Sequence, residues 1–170
     1  MKSLMVFMFM LVSLAAFAQP SIEDLRVSIF KMEQDSCSAV DLFESIKSGS
    51  YNSALLQAYA GATEAASAQC VKGAFTKLEY FSRGKKNLEA AIEKDPENPE
   101  IRFLRFATQV NAPNFLEYDN TKEDVDFILE KLPVLLENEN PFWNKAAQAM
   151  IDSGKLSKKE KSEFLSILHN

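Results

Sequence analysis

Residues 84–110 read GKKNLEAAIEKDPENPEIRFLRFATQV, and the fold is decided at the hexapeptide in their middle, Asp95-Pro96-Glu97-Asn98-Pro99-Glu100. Pro96 has no amide hydrogen and cannot continue a helix, whereas Pro99 behind Asn98 sits where a capped helix begins. One helix therefore ends here and another starts. Upstream, Leu78, Phe81, Leu88, Ala91 and Ile92 keep helical spacing over 75–94, with Lys85, Lys86 and Glu89 on another side. Gly84 interrupts that helix at a cost of ~1 kcal/mol relative to alanine, which a closely packed partner helix would explain. Downstream, Ile101, Phe103, Leu104, Phe106, Ala107 and Val110 are too many for one stripe, so 99–110 is expected to be the central, most buried helix.

The same period extends in both directions. Leu25, Ile29 and Met32 predict a helix over 22–32, with Glu23 and Asp24 in its first turn where the dipole favours acids. Val40, Phe43 and Ile46 predict another over 38–47. Between 53 and 70 the small residues Ala54, Ala58, Ala60, Gly61, Ala62, Ala65, Ala66 and Ala68 offer a surface that a neighbouring helix can approach closely. Pro113 and the asparagines make 111–120 a loop with room for one helical turn. Thr121 with Asp124 suggests a capping box ahead of Val125, Phe127, Ile128, Leu129 and Leu132, and Pro133 either kinks that helix or restarts it. Asn140-Pro141 opens the next helix, and Ser157 with Glu160 caps the last. Sustained two-residue alternation and Asn-Gly or Asp-Gly turns are absent from the sequence, so the fold class is all-α, an array of antiparallel helix pairs with seven or eight helices.

Met1, Lys2 and Ser3 precede an uncharged run from Leu4 to Phe17, which closes on Ala16-Phe17-Ala18. A positive start, an apolar middle and small residues at the cleavage site are the features of a signal peptide over 1–18. A membrane anchor is the alternative, but about 15 apolar residues span roughly 22 Å as a helix, short of a hydrocarbon core of about 30 Å. Residues 19–170 are then expected to form one exported domain, periplasmic or extracellular, with no transmembrane segment. The formal net charge is −5, and loss of Lys2 makes it more negative. Nucleic acid is an unsuitable partner for such a surface, because phosphate binding needs clustered Lys and Arg. Cys37 and Cys70, the only cysteines, would lie where disulfides persist. Their separation suits equivalent positions in two successive helical units of about 34 residues, so either a bridge or two buried thiols fits.

Gly84, Leu88, Ala91 and Pro96 fall at the spacings of the closing helix of a tetratricopeptide repeat, with Phe75 at the aromatic position of the preceding helix. The segment 84–99 resembles that family in degenerate form, and the chain is similar to small exported bacterial proteins that carry such an array. The resemblance implies a stacked helical scaffold that presents a surface to peptides or partner proteins.

Catalytic groups are few. His169 is the single histidine and lies next to the C-terminal residue; the five glycines are scattered and form no phosphate loop. No catalytic, cofactor-binding or metal residue is assigned, and no cofactor is expected. Arg102 and Arg105, three apart on one helix and leading into Asn111, Asn114 and Tyr118, form the candidate partner-binding cluster, able to hold a carboxylate. Pairing of the two arginines with acids of a neighbouring helix is the alternative. The expected function is a non-enzymatic exported module that binds an unknown protein or peptide. A carrier of an apolar small molecule, suggested by ten phenylalanines beyond the leader, is the second reading, and a carboxylate-based hydrolase the third.

Overall fold

The computed structural model describes residues 20–32, 35, 37–47, 51–138 and 140–169. The expected signal peptide, 1–18, lies outside the described residues. Within them the chain is all-α, with eight helices: α1 Ile22–Lys31, α2 Ser38–Ile46, α3 Ala54–Ser67, α4 Ala74–Lys94, α5 Pro99–Val110, α6 Thr121–Glu137, α7 Pro141–Asp152 and α8 Lys158–Leu168. A single 3-10 turn, Asn114–Leu116, stands between α5 and α6. Helix starts follow local chemistry: the Asn98 side chain accepts from the Glu100 and Ile101 amides just after Pro99, the Asn140 side chain accepts from the Phe142 amide just after Pro141, and Ser21 and Ser157 form complete capping boxes with Asp24 and Glu160.

α5 is the wall between two cores. Its Ile101 and Leu104 join Leu25, Ile46, Leu56, Tyr59 and Leu88 on one side. Its Phe103 and Phe106 join Val125, Ile128, Leu132, Phe142, Trp143, Met150 and Phe164 on the other. The most buried helix, however, is α3, where all residues from Leu56 to Ala65 are buried. Its small side chains let α2, α4 and α5 all pack against it, so crowding by neighbours, not apolar content, decides burial.

Gly61 of α3 and Gly84 of α4 mark the closest approach. A Cβ on Gly84 would stand 2.5 Å from both Gly61 O and Ala65 N, and one on Gly61 would stand 2.7 Å from Gly84 O. The two backbones touch, which accounts for a glycine inside a 21-residue helix.

Buried carboxylates of α3 and α5 are paired with arginines. Glu100 of α5, 4% exposed, accepts from Arg26 Nε at 3.0 Å, Arg26 Nη2 at 2.6 Å and the Tyr59 hydroxyl at 2.6 Å, joining α1, α3 and α5. Glu64 on α3 accepts from Arg83 of α4 at 2.6 Å.

The Cys37 and Cys70 sulfurs are bonded, with Cα atoms 5.5 Å apart, and tie the start of α2 to the segment after α3. Replacing both by serine is expected to lower stability by about 3 kcal/mol, since the cross-link restricts the unfolded chain. Urea unfolding of the oxidised protein and the variant measures this; equal midpoints would show that the bridge contributes nothing.

Two local expectations are corrected. The capping box of Thr121 with Asp124 does not form: Asn120 occupies the N-cap position, Thr121 is the first helical residue, and its hydroxyl donates to Asp119 at 2.6 Å. Asp124 is instead taken by an arginine of α5. Of the two outcomes expected at Pro133, a kink or a restart, the restart does not occur, for α6 runs through it to Glu137.

Candidate functional site

Arg102 and Arg105 leave α5 on the side that α6 covers. Arg105, 3% exposed, donates from Nε to the two Asp124 carboxylate oxygens at 3.1 and 2.8 Å and from Nη2 at 2.5 Å; Asp124 is fully buried. Glu89 of α4 lies 3.3 Å from Arg105 Nη1, and Glu123 lies 3.2 Å from Nη2. Arg102 pairs with Glu123 and Asp124, while its guanidinium lies 5.0 Å above the Phe127 ring. Both arginines thus point into an acid-rich junction of α4, α5 and α6. This is the pairing with acids of neighbouring helices, the alternative to a contact surface; Arg102 Nε, buried beside it, has no hydrogen-bond partner.

The same junction fixes the 111–120 loop. Gln109 donates to Asp124 at 3.4 Å and its carbonyl accepts from the Asn120 amide at 2.5 Å. The Tyr118 hydroxyl donates to Glu89 at 2.6 Å, its ring stands 6.1 Å from that of Phe81, and Lys85 Nζ lies 4.4 Å from its centroid. Asn111 finishes α5 by donating to the Ala107 carbonyl at 2.8 Å. Glu117 adopts a left-handed conformation, φ 47°, which turns the chain back after the 3-10 turn. Of the five residues singled out in the sequence, Arg102, Arg105 and Tyr118 are therefore supports, Asn111 is exposed but caps α5, and Asn114 is exposed at the tip.

What the loop presents is Phe115, 80% exposed; its chain neighbour Asn114 lines an open recess of about 380 Å³ together with Gln109, Glu117, Tyr118, Asp119 and Lys155 among others. Phe115 escaped the sequence reading because a loop has no period against which an apolar residue stands out. The usable signal was an apolar side chain inside a segment bounded by Pro113 and Asn120. Of the other phenylalanines described, Phe43, Phe81, Phe103, Phe106, Phe142 and Phe164 are buried and Phe30 and Phe127 half-buried; only Phe75 is comparably exposed. Core packing thus accounts for most of the phenylalanine content that suggested an apolar carrier.

Charge shifts follow the same geometry. Burial pushes the Asp124 carboxyl up, against the pull of Arg105. Hydrogen bonding from Arg102 holds Glu123 below the usual carboxylate range, and the Ser157 hydroxyl and amide do the same for Glu160. Burial and the bond to Glu89 push the Tyr118 hydroxyl up, so it remains a donor at neutral pH. Glu123 and Glu160, with lowered folded values, contribute stability that is present above the unfolded carboxylate range and lost as pH falls through those values; Asp124, with a raised value, acts in the opposite sense. Stability is expected to fall between about pH 5 and pH 3, and the fall should be shallower in Glu123→Gln. Urea midpoints across that range check this, and an unchanged acid slope in the variant would remove Glu123 as a source.

Among the described residues no group of three or more His, Cys, Asp or Glu is placed to hold a metal ion, and no helix is long and apolar enough to cross a membrane. Compared with known proteins, the chain matches no family model, no curated protein and no solved structure.

Proposed function

We propose that this chain is an exported, non-enzymatic helical module, periplasmic or extracellular, that binds a protein or peptide partner through the 111–120 loop. The observation that carries it is the pairing of a hydrogen-bonded loop base with an exposed aromatic tip. Tyr118, Gln109 and Asn120 are tied to Glu89 and Asp124 beneath the loop, while Phe115 stands 80% exposed above it. Aromatic side chains held in advance on a rigid base lose little entropy on docking and commonly anchor interfaces. Asn114 and Lys155 at the recess supply polar groups for orientation. The tetratricopeptide resemblance is supported by the α3–α4 approach at Gly84 and by the burial of Leu88 and Ala91 beside it.

Phe115→Ser tests the proposal. Its side chain is exposed, so stability should change by less than about 0.5 kcal/mol, while a partner captured from envelope or medium fractions by residues 19–170 should be lost. A partner retained by Phe115→Ser would overturn the assignment of the loop, and the absence of any reproducible partner would overturn the proposed function.

A further inference from the structure

The first two turns of α4 stand clear of the core. Residues 72–75 are all exposed, as are Lys77, Leu78 and Glu79, and the first buried residue of the helix is Phe81. Phe75 is 91% and Leu78 48% exposed. Five cations, Lys72, Lys77, Arg83, Lys85 and Lys86, stand between residues 72 and 86 with one acid, Glu79, in a chain of formal charge −5. Arg83 is taken up by Glu79 at 2.5 Å and by Glu64 of α3 at 2.6 Å. Among the described residues Lys72, Lys77 and Lys86 enter no ion pair. The helix also opens on Gly73 with no side-chain cap and no acid in its first turn, so the positive end of its dipole adds to the lysines.

We propose that this end of α4 docks on an anionic lipid surface. Phe75 and Leu78 enter the boundary between headgroups and acyl chains, and Lys72 and Lys86 meet lipid phosphates. Phe75, Ser82 and Lys86 recur at helical spacing along the outward side of α4, which places the apolar anchor and a cation on one face. A peptide would need a groove beside the helix, whereas a lipid interface needs only exposed apolar side chains rimmed by cations. The described recesses are lined by the 109–121 segment, α6 and the start of α8, not by these turns. Binding through one aromatic and one leucine is weak and reversible, and it is independent of the partner assigned to Phe115.

Co-sedimentation of residues 19–170, which contain every helix described above, with phosphatidylcholine vesicles tests this, with and without about a third phosphatidylglycerol. Partition onto the anionic vesicles should exceed that onto neutral ones by at least about tenfold at low salt and should fall as salt is raised. Phe75→Ser should lower it by roughly tenfold and Lys86→Glu by roughly fivefold or more, with circular dichroism unchanged because both side chains are exposed. Equal partition onto both vesicle types, no partition onto either, or a Phe75→Ser variant that binds like the parent would overturn the proposal. So would self-association, or a complex with an acidic protein, that depends on Phe75 without vesicle binding.

Discussion

Gly84→Val is expected to lower stability by more than about 4 kcal/mol, enough to leave the chain largely unfolded, whereas Gly84→Ala should cost about 2–3 kcal/mol. In an exposed helix the alanine change would stabilise by ~1 kcal/mol, so the sign itself is diagnostic. A Cβ at Gly84 meets Ala65 N and Gly61 O at 2.5 Å and Ala65 Cβ at 2.7 Å, and the first two are backbone atoms of a buried helix that cannot turn aside. α3 and α4 must separate, and Leu88, Ala91 and Ile92 would lose their contacts with Leu56 and Tyr59 in the same core. Valine adds two methyl groups to that clash. Urea or thermal unfolding of the two variants gives the comparison, and an alanine variant as stable as the parent would mean that the helices do not touch at Gly84.

Asp124→Ala should cost roughly 3–5 kcal/mol. Arg105 is 3% exposed, and Asp124 supplies its shortest contacts. Burial disfavours the charge of Arg105, and Asp124, Glu89 and Glu123 more than offset it. Without Asp124 the guanidinium keeps its charge in a site where water cannot replace the lost acceptor, and Gln109, which orients the Asn120 amide, loses its partner as well. Arg105→Ala leaves Asp124 buried without its bidentate donor and should be similarly costly. Chemical unfolding of each variant reads the effect; a loss below about 1 kcal/mol would place the pair with exposed ion pairs of little weight.

Helix boundaries were legible in the sequence wherever a local device marks them. Asn98-Pro99, Asn140-Pro141 and Ser157 with Glu160 open helices through contacts within four residues, and nothing elsewhere in the fold competes for them. Thr121 failed for the complementary reason: Asp124, the intended partner of its cap, is drawn to Arg105, 19 residues away. Burial was legible in kind but not in rank. α5 is apolar enough to serve two cores, yet α3 is more enclosed because alanine and glycine admit three neighbours.

The candidate site shows the same division. The neighbourhood of Arg102, Arg105, Asn114 and Tyr118 was identified from spacing, but the direction of each side chain depends on which helices become neighbours. With Glu89, Glu123 and Asp124 on the flanking helices, the arginines turn inward and Phe115 is left outside. The Cys37–Cys70 bridge was one of two open alternatives for the same reason, since it depends on the α2–α3 packing.

If the Arg105–Asp124 pair is architecture that holds the loop from beneath, and not a receptor for a ligand, its two charges stabilise the fold as a unit. A double-mutant cycle in urea measures this, comparing Arg105→Met, Asp124→Leu and the two together. Because each single variant leaves a buried charge without its principal partner and the double removes both charges, the double should be more stable than the sum of the single losses by about 2 kcal/mol or more. Additive losses, with the double variant as unstable as the two singles combined, would contradict that role.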